Sequence, residues 1–114
     1  MTDMDELFQN QMLELRRGSI VLAIVSVLHQ GDHYGYSLLK ELEGLAFPVE
    51  GNTLYPLLRR LEKQEVLEST WDTSDTRPRK YYRLTPAGKI LYKRLLAEWL
   101  DMTKKMNHMI KEDI

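Results

Sequence analysis

Residues 51–67 read GNTLYPLLRRLEKQEVL, and their periodicity decides the fold. Leu54, Leu57, Leu58 and Leu61 recur at i, i+3, i+4 and i+7, the single buried stripe of an amphipathic helix. Rotation by about 100° per residue puts Asn52, Tyr55, Pro56, Arg59 and Lys63 on or near the opposite, outward face. That face carries basic charge, an amide and a phenol. A nucleic-acid groove offers both the anions and the hydrogen-bonding edges such a surface would meet. The plainer alternative is a solvated face that happens to be basic. The spacing predicts a start at Asn52 or Thr53, both good N-cap residues, which would put Pro56 in the first turn, where its missing N–H costs little.

Upstream, Tyr34 to Leu45 reads as another helix, with Leu38, Leu39, Leu42 and Leu45 inward and Ser37, Lys40 and Glu41 outward. Gly44 is placed to cap its C-terminus, and Phe47-Pro48-Val49 forms a short extended exit. Two helices joined by a short turn, the second basic on its outer face, make a helix-turn-helix candidate. Before them, Met12 to His29 reads as one helix, apolar on nearly every side from Ile20 to Leu28, with Gly18 marking a bend or a close backbone contact. Residues 1–10 are polar and acidic and read as a frayed lead-in.

Downstream, Leu67, Ser69 and Trp71 alternate with Glu68, Thr70 and Asp72, and Tyr82 and Leu84 alternate with Tyr81, Arg83 and Thr85. The turn formers of TSDTRP join these runs into a β-hairpin whose tip is basic at Arg77, Arg79 and Lys80. Three helices followed by such a hairpin form a winged helix, the hairpin being a wing placed to reach phosphates beside a groove. Tyr81 and Tyr82 are expected on opposite faces of it. Thr85 as N-cap and Pro86 at the first helical position then open a last helix to about Ile110, roughly 37 Å at 1.5 Å per residue. Its stripe of Leu91, Leu95, Trp99, Met102, Met106 and Met109 has the spacing of a helix that packs on another helix, here one from a second subunit. The fold class expected is mainly α with a small β-hairpin: a winged helix-turn-helix over residues 1–85 and a dimerisation helix over residues 86–114.

Composition sets the outer limits. A chain of 114 residues is one domain that gains considerably from a second subunit, because so small a domain buries only about 60 to 65% of its unfolded surface. It has no cysteine, which excludes disulfides and thiolate metal sites and fits a reducing compartment. The longest apolar run, residues 20–28, is about half a membrane span, and the chain is expected to be cytoplasmic with no membrane partner. The net charge of −1 hides an uneven distribution: residues 1–50 carry three basic and eight acidic side chains, residues 51–83 seven and five. RPRKYYR, residues 77–83, has four basic residues and no acidic one, and phosphate contact depends on the local patch rather than the total. His29 and His33 have the spacing of a metal pair, but Gly31 and Asp32 would break the helix that aligns them, so no metal and no cofactor is expected. No phosphate loop, Ser-His pair or paired carboxylates single out an enzyme.

The motifs LRRGSIVLAIVSVL, HYGYSLLKELE, GNTLYPLLRRLEKQEVLES and RPRKYYRLTPAGK, in this order across about residues 12 to 90, resemble the PadR family of bacterial transcriptional regulators. The pairing of TLYPLLRRLEK with RKYYRLT is very specific to it. The resemblance implies a homodimeric winged-helix repressor on an inverted-repeat operator of double-stranded DNA, with the third helix in the major groove and the wing on the backbone. Asn52 stands where many members have Gly or Ala. The residues expected on DNA are Tyr34, Asn52, Thr53, Tyr55, Pro56, Arg59, Lys63, Arg79 and Lys80. The chain is also similar to small multidrug-sensing members, which carry a tryptophan in a segment like AEWLD, residues 97–101. That likeness implies a site for a small aromatic or cationic lipophilic effector at Trp99, walled by Met12, Tyr92, Leu95 and Leu96. Read from the residues alone, the same tryptophan and methionines are plain interface core. The alternative to DNA reading is a winged-helix protein-interaction module.

Overall fold

The computed structural model describes residues 3–111; the ends of the expected lead-in and last helix, residues 1–2 and 112–114, lie outside them. The elements in order are α1 (Asp3–Arg17), α2 (Ile20–Gln30), β1 (His33–Tyr34), α3 (Gly35–Gly44), α4 (Gly51–Lys63), β2 (Leu67–Asp72), β3 (Arg79–Leu84) and α5 (Pro86–Met109). None of the helices is long and apolar enough to cross a membrane, among the described residues.

Two expectations about the N-terminus fail together. Residues from Asp3 onward are helical, and the helix expected from Met12 to His29 is interrupted at Gly18 and Ser19. Nothing lies within 4 Å of where a Gly18 Cβ would be, so the glycine marks a bend and not a close contact. Helix α2 then restarts from Ser19, whose carbonyl accepts from Ala23 N–H at 2.9 Å. Ile24, Val25, Val27 and Leu28 of α2 are buried and form the centre of the molecule. Around them gather Leu38 and Leu42 of α3, Val49 of the connection that follows, Leu54, Leu58 and Leu61 of α4, and Leu67, Tyr82 and Leu84 of the sheet. Burial of a leucine-sized side chain is worth roughly 1.5 to 3 kcal/mol, so this cluster is the main source of stability.

Helices α3 and α4 end alike. Ala46 N–H donates to Glu43 O at 3.0 Å and Phe47 N–H to Leu42 O at 2.9 Å, the paired bonds of a Schellman motif. After α4, Glu65 N–H donates to Glu62 O at 3.0 Å and Val66 N–H to Leu61 O at 2.9 Å. The left-handed residues are Ala46 (φ 60°) and Glu65 (φ 62°), so the cap expected at Gly44 sits two residues later and without glycine. Phe47 and Val66 pack onto the core just past each stop, and that burial offsets the cost of the conformation.

The sheet is antiparallel in the order β1-β3-β2. Its inner face stacks Leu67 with Leu84, Ser69 with Tyr82 and Trp71 with Lys80; its outer face pairs Glu68 with Arg83, Thr70 with Tyr81 and Asp72 with Arg79. Tyr81 and Tyr82 therefore do face opposite ways. The strand β1, unforeseen from the sequence, adds His33 beside Tyr82 and Tyr34 beside Tyr81. Arg79 and Lys80, expected at the hairpin tip, are the first residues of β3.

Helix α5 begins as expected: Thr85 Oγ1 accepts from Gly88 N–H at 2.9 Å and Pro86 occupies the first turn. Thr85 Oγ1 also donates to Glu65 O at 2.6 Å, which fastens the helix start to the end of α4. A Cβ on Gly88 would come within 2.2 Å of Val66 O, a backbone atom, so only glycine allows this approach. Beyond its first turns α5 packs against α2 and then runs free. The radius of gyration, 16.7 Å, exceeds the roughly 13 Å of a compact chain of this length, because α1 and the far half of α5 project from the head.

Candidate nucleic-acid interface

Helix α4 starts at Gly51 with Glu50 as N-cap, two to three residues before the expected caps, and neither Asn52 nor Thr53 caps it. Thr53 N–H donates to Glu50 O at 3.0 Å, a bond to the backbone of the N-cap residue. The shift also moves Pro56 out of the first turn and into the helix interior. Leu54, Leu58 and Leu61 are buried, while Asn52, Thr53, Pro56, Arg59, Arg60 and Lys63 are exposed in one continuous band. Tyr55, expected on that band, is half-buried instead. A Cβ on Gly35 would lie 2.8 Å, and one on Gly51 3.2 Å, from its ring, so the phenol is clasped between the starts of α3 and α4. Arg60 belongs to the exposed band as well.

The wing is fixed to the helices on both faces. On the inner face Lys80 Nζ pairs with Glu62 Oε1 of α4 at 2.7 Å, and Ser69 Oγ donates to the same carboxylate. These two bonds, Lys80 first, hold Glu62 below its ordinary carboxylate value, and the bond to Glu62 raises Lys80. On the outer face the Tyr34 hydroxyl donates to Asp72 across the sheet. The Tyr34 ring meets Tyr81 edge-on at 4.6 Å between centroids, and the Arg79 guanidinium lies over it at 5.2 Å. Asp72 also accepts from Ser74 Oγ at 2.6 Å and Ser74 N–H at 3.0 Å. The Ser74 hydroxyl, then Tyr34, bring its pKa down to about 2, and the bond to Asp72 raises the Tyr34 phenol above its ordinary value.

The nine residues expected on DNA thus divide. Asn52, Thr53, Pro56, Arg59 and Lys63 form one open surface, with Arg79 at the wing edge. Tyr34, Tyr55 and Lys80 are engaged within the head. Among the described residues Arg59, Arg60, Lys63 and Arg77 have no ion-pair partner, so their charge is available to a ligand. Of the two phenols flanking Gly35, Tyr36 is the open one, 63% exposed with Lys40 Nζ 5.6 Å from its ring centroid. Its signal was its place inside the first turn of α3, whereas Tyr34 precedes the helix as a strand residue.

The residues expected around an effector and a second subunit lie away from this surface. Tyr92 stacks on His29 at 4.4 Å between centroids, and with Leu95 it packs on the core. Met12 on α1 and Leu96 on α5 are half-buried, and Trp99 is 41% exposed. Leu91 is half-buried, while Met102, Met106 and Met109 are open. Among the described residues no cluster of histidine and carboxylate side chains could hold a metal; His33 Nδ1 is instead 3.0 Å from Ser37 Oγ.

Residues 24–94 match the model of the transcriptional regulator PadR-like family. Transcriptional regulator Rv3488 of Mycobacterium tuberculosis is 37% identical over 78 residues, covering 68% of this chain and 73% of that protein. A PadR family transcriptional regulator from Eggerthella lenta superposes with a TM-score of 0.86 at 40% identity, covering 93% of this chain and 94% of that one. Bacillus subtilis PadR, solved in complex with operator DNA, shares the fold at 23% identity, with a TM-score of 0.63 over 68% of this chain and 45% of that one.

Proposed function

Because the chain belongs to the PadR-like family of transcriptional regulators, we propose that it is a homodimeric repressor that binds an inverted-repeat operator and releases it when a small aromatic or cationic lipophilic compound enters the dimer. The observation that carries the DNA reading is the band of Asn52, Thr53, Pro56, Arg59 and Lys63: exposed, basic, without an ion-pair partner among the described residues, and set beside a wing braced to the same helix. Helix α4 enters the major groove, where Arg59 meets a base edge and Lys63 a phosphate. Arg79 and Arg77 meet the backbone beside it. The fold shared with a PadR solved on its operator supports this arrangement.

Residues 1–85 are the DNA-binding unit and residues 86–114 the dimerisation helix in this reading. Support for the dimer comes from the apolar side chains that the head leaves uncovered on α1 and on the far half of α5: Leu7, Phe8, Leu15, Met102, Met106 and Met109. Trp99 lies at the edge of that surface, where a flat effector would stack on it between two subunits.

The test is selection from a random duplex pool by the purified protein at moderate salt. Enrichment of a two-fold symmetric site, with half-sites about one helical turn apart, is the expected result. Weak, salt-sensitive retention without enrichment would leave a basic patch with no sequence reading and favour an interaction module. For the effector, planar cationic dyes should quench Trp99 fluorescence in a Trp71→Phe background; unchanged emission would remove the site.

A further inference from the structure

Trp71 is an anomaly of the wing. It continues the inner face of the sheet after Leu67 and Ser69, yet the core ends one rung earlier, and the indole is 65% exposed. Its cross-strand neighbour on that face is Lys80, whose ammonium is already held by Glu62 of α4. Trp71 therefore stands on the side of the wing that faces α4, just beyond the last contact between them. Its Nε1–H has no acceptor among the described residues. Glu62, to which this face is tied, is flanked on α4 by Arg59 one turn before it and Lys63 directly after it.

If α4 lies in a major groove and the wing outside it, one sugar-phosphate ridge runs between them. The ridge presents phosphate oxygens and the apolar faces of deoxyribose. The inner face of the wing has no free cation to offer that ridge, because Lys80 is neutralised in place. It offers instead a flat apolar ring with one donor.

We propose that Trp71 packs on the deoxyribose face of this ridge, with its Nε1–H toward a phosphate oxygen, and so supplies a wing contact that is not ionic. The proposal rests on the DNA reading above and on continuity with the α4 surface. Because no cation is involved, the contact releases no counterions, which separates it from the neighbouring arginines.

The experiment measures binding to a duplex carrying the enriched site, at several salt concentrations, for wild type, Trp71→Ala, Trp71→Phe and Arg77→Ala. Trp71→Ala should bind about tenfold more weakly with the salt dependence of the wild type, from loss of apolar contact area. Trp71→Phe should recover most of the loss, and Arg77→Ala should lower the salt slope by about one. In a Trp99→Phe background, where Trp71 is the only tryptophan, its emission should change on adding the duplex. Since Trp71 is exposed, all variants should melt with the wild type. Wild-type affinity in Trp71→Ala, or a loss accompanied by a reduced salt slope, would overturn the wing contact and leave the DNA reading intact. Absence of any salt-dependent binding by the wild type would overturn both.

Discussion

The winged head and the two helices that project from it obey opposite rules. In the head nearly every large apolar side chain from α2 to β3 is covered, and the wing is tied on one face by Tyr34 and on the other by Glu62. Helix α1 buries no residue, and α5 beyond Leu96 leaves Trp99, Leu100, Met102, Met106 and Met109 open. Both regions have helical apolar stripes. What differs is the complementary surface: for the head it lies elsewhere in the same chain, and for α1 and the far half of α5 no described residue supplies it. The same periodicity thus marks core in one place and, in the other, an uncovered face that the proposed dimer would bury.

The largest test of that division is Met106→Glu. A carboxylate buried without a partner costs about 3 to 5 kcal/mol, so the variant should sediment as a monomer while the head keeps its fold. An unchanged dimer would place the subunit contact elsewhere. Leu58→Ala should act in the other region, losing about 2 to 5 kcal/mol of unfolding free energy in denaturant titration. Leu15→Ala should instead alter how the melting temperature depends on protein concentration. If both variants lost the same stability at all concentrations, the two regions would not be distinct.

A smaller effect is expected at the reading surface, where Arg59→Ala should cost about 1 to 3 kcal/mol of binding if the guanidinium makes a bidentate base contact. Wild-type affinity on the selected site would remove Arg59 from the interface. Glu62→Gln should weaken the wing attachment by about 1 kcal/mol, read as a lower melting temperature, since the pair it breaks is only partly shielded from water. The smallest effect concerns pH. Asp72 is depressed to about 2, so its bonds to Ser74 and Tyr34 contribute fully above its ordinary value near 4 and are lost as pH falls through 2. The NMR shifts of the Tyr34 ring should follow that transition and lose it in Asp72→Asn.

The head was legible in the sequence because its helices repeat a period over several turns and the hairpin alternates. The strand β1 was not, because two residues have no period and His33–Tyr34 exist as a strand only through pairing with β3. Helix α1 was readable and overlooked: Met4, Leu7, Phe8 and Leu15 keep helical spacing, but the acids among them resemble a solvated tail. At the candidate site, exposure of Arg59 and Lys63 followed from the leucine stripe. That Lys80 is engaged and Tyr55 clasped between glycines depended on which elements meet in space, which no local pattern records.

Pro56 has an effect on water. With α4 starting at Gly51, the amide that would close the helical bond onto the Asn52 carbonyl is the one proline lacks. Asn52 is exposed, so solvent can hydrate that oxygen in the free protein. A groove that receives α4 must either offer a donor there, such as the amino group of adenine or cytosine, or strip the water at roughly 1 to 3 kcal/mol. In the DNA reading proposed above, the helix would thereby carry, in its backbone rather than its side chains, a penalty against sequences that offer no donor there.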